Sequence, residues 1–94
     1  METLAELTKK ARYDKRVAIN VAAKEIGIAQ SHLHAIEKGK KLKPKMDILY
    51  RIAEYYGIPS DKVCLSAERV PSDIFYKIVA NQELLQIIRN YEGG

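Results

Sequence analysis

At about 100° per residue, a helical run from Ala29 to Lys38 turns Gln30, Ser31, His34, Ala35 and Lys38 to one side and Leu33 and Ile36 to the other. Amide, hydroxyl, imidazole and ammonium groups therefore face outward together, and Lys40, Lys41, Lys43 and Lys45 follow at once in the segment KKLKPK. Three chemistries can be weighed for this set. Ser31 and His34 are neighbours on the helix, but no orienting acid and no glycine-rich oxyanion loop accompanies them, so nucleophilic catalysis is not supported and no catalytic residue is assigned. His32 and His34 stand about 160° apart around the helix with no cysteine or acid at ligand spacing nearby, so no metal or other cofactor is expected. What remains is the binding of a polyanion by the lysines, beside a polar face able to make directed hydrogen bonds.

Two helices must hold that face in place. The stretch from Ala18 to Gly39, AINVAAKEIGIAQSHLHAIEKG, contains two short helix-forming runs separated by Gly27, which suits a left-handed helix stop. This is a helix-turn-helix pattern. In the first run, about Ile19 to Ile26, the residues Ile19, Ala22, Ala23 and Ile26 share a face, and the paired alanines allow close helix approach. Asn20, Lys24 and Glu25 point outward. In the second, Glu37 falls on the buried edge and needs a cation, for which Arg12 is the best placed residue.

Around this pair, Thr3 and Glu6 form a capping box for a first helix to about Arg16, with Leu4, Leu7 and Ala11 as its stripe. Val17 plugs the following turn. Pro44 suits the first turn of a fourth helix, about Lys45 to Tyr56, with Leu49, Ile52, Ala53 and Tyr56 inward. Ser60 is the expected cap of a fifth short helix that returns Val63 and Leu65 to the core. Ser66 to Arg69 reads as a linker. Beyond it, helices at about Ser72 to Val79 and Gln82 to Tyr91 form a hairpin, with Asn81 ending one and capping the other. The hairpin is rich in large aliphatics, among them Ile74, Phe75, Ile78, Leu84, Leu85 and Ile88, and must pack on something.

Composition bounds the rest. Ninety-four residues make one domain with at most a small appendage, and a core of that size is marginal in stability. Through Ile58 there are twelve Lys and Arg against seven Asp and Glu, whereas after it there are four against five. The basic surplus thus lies in the first two thirds. No apolar run is long enough to span a membrane and the start METLAELTKK lacks signal-peptide order, so a cytoplasmic location is expected. Cys64, the single cysteine, lies in an apolar run and reads as a core residue.

The residues Ala23, Gly27, Leu33, Ile36, Glu37, Gly39 and Pro44, followed by Leu49, Ala53, Gly57 and Leu65, resemble the phage repressor and Cro family of helix-turn-helix regulators, also called the xenobiotic-response-element family. The resemblance covers about residues 4 to 65. It implies an all-α chain: a five-helix lambda-repressor-like DNA-binding bundle over 1–65, with a C-terminal helical hairpin over 66–94 outside the family pattern. It further implies binding of double-stranded DNA as a homodimer, with the third helix in the major groove. By the same resemblance Gln30, Ser31, His34 and Ala35 fall at base-reading positions, and Lys38, Lys40, Lys41, Lys43 and Lys45 at phosphate-contacting ones. Arg12 and Glu37 fall where many members carry a structural ion pair. Gln can pair bidentately with adenine, Ser can bond to either kind of base edge, His can donate to guanine, and the Ala methyl can pack on thymine. Two departures stand out: Ala18-Ile19 replaces a polar phosphate grip, leaving Asn20 as the nearest polar side chain, and KKLKPK is about one residue longer than usual.

The hairpin separates two readings of the whole chain. In one, it makes a homodimer and the protein is a repressor on a palindromic operator. In the other it binds a different protein, as an antitoxin does its toxin or a repressor its antagonist.

Overall fold

A computed structural model describes residues 2–40 and 43–91. Seven helices make up the regular structure among them: α1 Leu4–Lys15, α2 Ile19–Ile26, α3 Gln30–Glu37, α4 Met46–Tyr56, α5 Ser60–Ser66, α6 Ser72–Ala80 and α7 Gln82–Asn90. The chain is all-α.

The first five helices enclose one core. Leu4 and Leu7 of α1, Ala22, Ala23 and Ile26 of α2, Leu33 and Ile36 of α3, Leu49, Ile52 and Ala53 of α4, and Val63 and Cys64 of α5 are all buried. In this core α1 lies against α3, α4 and α5, and α2 against α3 and α4. Thr8 is buried among them, a polar side chain in an apolar stripe, and is satisfied because its Oγ1 donates to the Leu4 carbonyl at 2.7 Å. Cys64 is fully buried, and burial pushes its thiol pKa up.

Helix boundaries follow local chemistry. Thr3 accepts from the Glu6 N–H at 3.2 Å and starts α1. Gly27 closes α2 at φ 89°, a left-handed conformation unfavourable for side chains with a Cβ, and its carbonyl accepts from the Arg51 guanidinium at 3.5 Å. Asn81 ends α6 and caps α7, its Oδ1 accepting from the Glu83 N–H at 3.0 Å.

Three details differ from expectation. Pro44 is buried and precedes Lys45, which is the N-cap of α4, so the proline fixes the approach to the helix rather than its first turn. Pro59, not Ser60, is the N-cap of α5, and Ser60 is already helical. Leu65 does not return to the core but is 51% exposed. Residues two apart lie on opposite sides of a helix, so with Val63 inward α5 buries Cys64, and the chain then tucks in Ala67.

Between α5 and α6 the connector is packed, not free. Ala67 and Pro71 are buried, Glu68 takes φ 58°, and the Arg69 N–H bonds the Cys64 carbonyl at 2.9 Å. The Arg69 guanidinium also reaches the Lys43 carbonyl at 3.4 Å. Beyond the connector α6 and α7 make their main contact with each other, and neither contains a buried residue. Ile78 and Leu84 are half-covered, whereas Ile74, Phe75, Leu85 and Ile88 are exposed.

Candidate nucleic-acid interface

The recognition face is built outward from the core. Leu33 and Ile36 bury the inner side of α3, which fixes the helix axis, and Arg12 fixes its rotation. Arg12 Nε donates to Glu37 Oε2 at 2.7 Å and Nη2 donates to Oε1 at 3.0 Å, a two-pronged pair whose planar geometry permits little rolling of α3 on α1. Its third nitrogen, Nη1, donates to the Val17 carbonyl at 3.0 Å, so one side chain ties together α1, the turn into α2, and α3. The Glu37 side chain is 6% exposed. Hydrogen bonding to Glu37 raises the Arg12 pKa above its already high ordinary value, which keeps the guanidinium charged. Tyr56 lies in the same neighbourhood, and burial, assisted by the Glu37 charge, pushes its phenol up to about 12.

With the inner side held, Gln30, Ser31, His34 and Ala35 are left facing solvent and, with Lys40, line one shallow concavity. Gln30, Ser31 and His34 are exposed and Ala35 is half-covered by its neighbours. His32 is also half-covered, at the edge of this face. The set offers amide, hydroxyl, imidazole and methyl groups with one ammonium at the rim, suited to hydrogen bonding a flat polar edge beside an anion.

The described lysines are distributed over two depressions and the ends of α3 and α4. Lys38 ends α3 and is exposed, Lys40 borders the α3 concavity, and Lys45 is exposed at the start of α4. Lys43 is exposed and lines a different depression, shared with Thr3, Leu4, Ile36 and Ser66. Lys40 borders both. Lys41 lies outside the described residues. Asn20 is exposed in the first turn of α2.

Two contributions were not read from the sequence. Neither α2 nor α3 has a side-chain acceptor at its N-cap, Ala18 and Ala29 respectively. Their first-turn N–H groups are thus without a side-chain cap, and helix N-termini of this kind favour anions. An alanine at both cap positions was the available signal. The second is Arg69, whose bond to the Lys43 carbonyl braces the lysine loop from the connector. Its position in a polar linker gave no sign of that contact.

The six hydrophobic positions expected to form a contact surface on the hairpin divide. Ile78 and Leu84 are half-covered, whereas Phe75 and Ile88 are more open. Val79, Ile87 and Tyr91 add to the exposed apolar surface.

Among the described residues there is no group of three His, Cys, Asp or Glu able to hold a metal ion, and no helix is long and apolar enough to cross a membrane. A family model described as a helix-turn-helix domain matches residues 4–68, most of the chain. No curated protein and no solved structure gives a match.

Proposed function

From the premise that the chain belongs to this helix-turn-helix family, a non-enzymatic class of DNA-binding regulators, we propose that it is a sequence-specific transcriptional repressor of the Cro and phage-repressor type, acting in the cytoplasm. In this reading α3 enters the major groove, and two copies of the chain occupy the halves of a palindromic operator. The observation that carries it is the α3 concavity. Gln30, Ser31, His34, Ala35 and Lys40 line one solvent-facing surface, while Leu33, Ile36 and Glu37 anchor the opposite side of the same helix.

The roles divide by chemistry. Gln30 reads adenine through its amide, Ser31 and His34 bond to neighbouring base edges, and Ala35 meets a thymine methyl. Lys38, Lys40, Lys41, Lys43 and Lys45, with Asn20 and the uncapped start of α2, bind phosphate and set register without reading sequence.

Selection of bound sequences from a random pool of duplex DNA tests this directly and yields the operator. On that operator, Gln30→Ala is expected to weaken binding by about 1–3 kcal/mol while leaving affinity for random DNA unchanged. Equal losses on both would remove Gln30 from base reading. Replacing Lys40 and Lys43 with Ala is expected to weaken both equally and to lower the salt slope by about 1.8, near 0.9 for each phosphate contact. An unchanged slope would show that neither lysine meets phosphate.

A further inference from the structure

The depression that Lys43 lines has a volume of about 610 Å³ and an apolar wall that reading DNA does not use. Leu4 and Ala5 of α1, Ile36 of α3 and Ala67 of the connector supply that wall. Lys40 and Lys43, both exposed, complete the lining from the loop after α3. The Lys43 carbonyl accepts from the Arg69 guanidinium at 3.4 Å, so this side of the depression is tied to the packed connector. Its size is that of a small-molecule site.

The polar groups around the wall narrow what it fits. Among the described residues neither lysine is in an ion pair, and one acid of the lining, Glu68, stands against the two of them. The other polar side chains are engaged within the fold: Ser66 Oγ donates to the Val63 carbonyl at 2.7 Å and Thr3 Oγ1 to Glu6 Oε1 at 3.0 Å. The two ammonium groups are therefore the side-chain donors left to a ligand. A neutral hydrocarbon would leave them unmatched, an amine would meet their like charge, and a small inorganic anion would leave the wall bare. A small carboxylate with an apolar body matches both parts, its hydrocarbon against Leu4, Ala5, Ile36 and Ala67 and its oxygens on the lysines.

We propose that this depression is an effector site for a small apolar carboxylate, and that filling it weakens DNA binding through Lys40. That lysine borders the α3 concavity as well as the depression. A carboxylate on it neutralises the charge that a DNA phosphate would meet, and the coupling is reciprocal, so DNA in turn weakens the carboxylate. The coupling rests on the operator reading above, whereas the site itself is measured without DNA.

Octanoate is a suitable probe, with acetate at equal concentration to match ionic strength and octylamine to reverse the charge. In amide NMR of the full chain without DNA, millimolar octanoate is expected to move Ala5, Ile36, Gly39 and Ala67 saturably and to leave α6 and α7 unmoved. Acetate and octylamine are expected to move none of these. The double variant Lys40→Gln, Lys43→Gln is expected to bind octanoate about fivefold more weakly, in keeping with two exposed ion pairs. Ala5→Leu, which places a larger side chain in the depression, is expected to abolish binding, and should it unfold the lysine variant decides. With random duplex DNA at about 0.15 M salt, saturating octanoate is expected to weaken binding about fivefold relative to acetate, the contribution of one phosphate contact. Shifts confined to α6 and α7 overturn the site, as does octylamine binding as well as octanoate or an unchanged affinity in the lysine variant. Octanoate bound in the depression with DNA affinity as in acetate overturns the coupling. A chain that takes octanoate there but binds no DNA would refute the operator reading and leave the site standing, and one that binds DNA but not octanoate would do the reverse.

Discussion

The bundle and the hairpin have similar apolar stripes and opposite burial. Among the described residues the thirteen that form the buried core lie between Leu4 and Ala67, and α6 and α7 contribute none, although both carry Ile, Leu, Val or Phe at helical spacing. The difference is in what each stripe meets. Ala22 and Ala23 let α2 sit close on α3 and α4, and Leu33, Leu49, Ile52 and Val63 converge from three helices on a common centre. The hairpin has two helices and so leaves even its best covered hydrophobic residues, Ile78 and Leu84, only half-covered. A helical stripe specifies which side is apolar, and three or more elements are needed before that side is interior.

Core truncation should expose this contrast most strongly. Leu33→Ala is expected to cost about 2–5 kcal/mol in unfolding free energy, because a fully buried side chain leaves a cavity. The matching change Ile87→Ala, on an exposed site, is expected to cost under about 0.5 kcal/mol in dilute protein. Denaturant titration at low concentration measures both, and comparable losses would mean that the hairpin belongs to the core. Next in size, Glu37→Ala is expected to cost about 3 kcal/mol, since it leaves the Arg12 guanidinium largely buried with only the Val17 carbonyl as a hydrogen-bond acceptor. A melting temperature near that of the unaltered chain would show that α3 is held by Leu33 and Ile36 alone.

The smallest effect concerns pH. Tyr56 titrates near 12 when folded against about 10 when unfolded, so its neutral form is favoured in the native state. Stability is full below pH 10 and is lost as pH rises from there through 12, because only the unfolded chain can ionise easily. Tyr56→Phe is expected to flatten this part of the alkaline stability curve and to leave neutral-pH stability little changed, as the Tyr56 hydroxyl has no hydrogen-bond partner among the described residues. A curve that still falls equally would assign the alkaline loss to other groups.

The seven helices were legible because their period and several of their ends are written in the sequence: Thr3 with Glu6, Gly27, Gly57 and Asn81 each mark a boundary with a specific backbone role. The outward placement of Gln30, Ser31 and His34 was legible for a related reason, since Leu33 and Ile36 leave α3 one way to face the core. Less legible were the ends of α1 and α5, where Arg16 and Glu68 take positive φ without a glycine to announce it. The exposure of Leu65 depended on the one-residue choice of which side of α5 faces inward. Arg69 was unreadable because its contact is to a backbone carbonyl 26 residues away, which no residue type announces, whereas Glu37 on a buried edge called for a cation and so pointed to Arg12 across 25 residues.

If the hairpin joins the two copies on the operator, the packed connector has a mechanical consequence. Held by buried Ala67 and Pro71 and by both bonds of Arg69, it would act as the arm of a caliper and not as a tether. Inserting one base pair at the centre of an operator turns one half-site by roughly 35° against the other, and an arm without slack passes that rotation to α3 as misfit. Operator spacing, as much as operator sequence, would then be a quantity the protein measures.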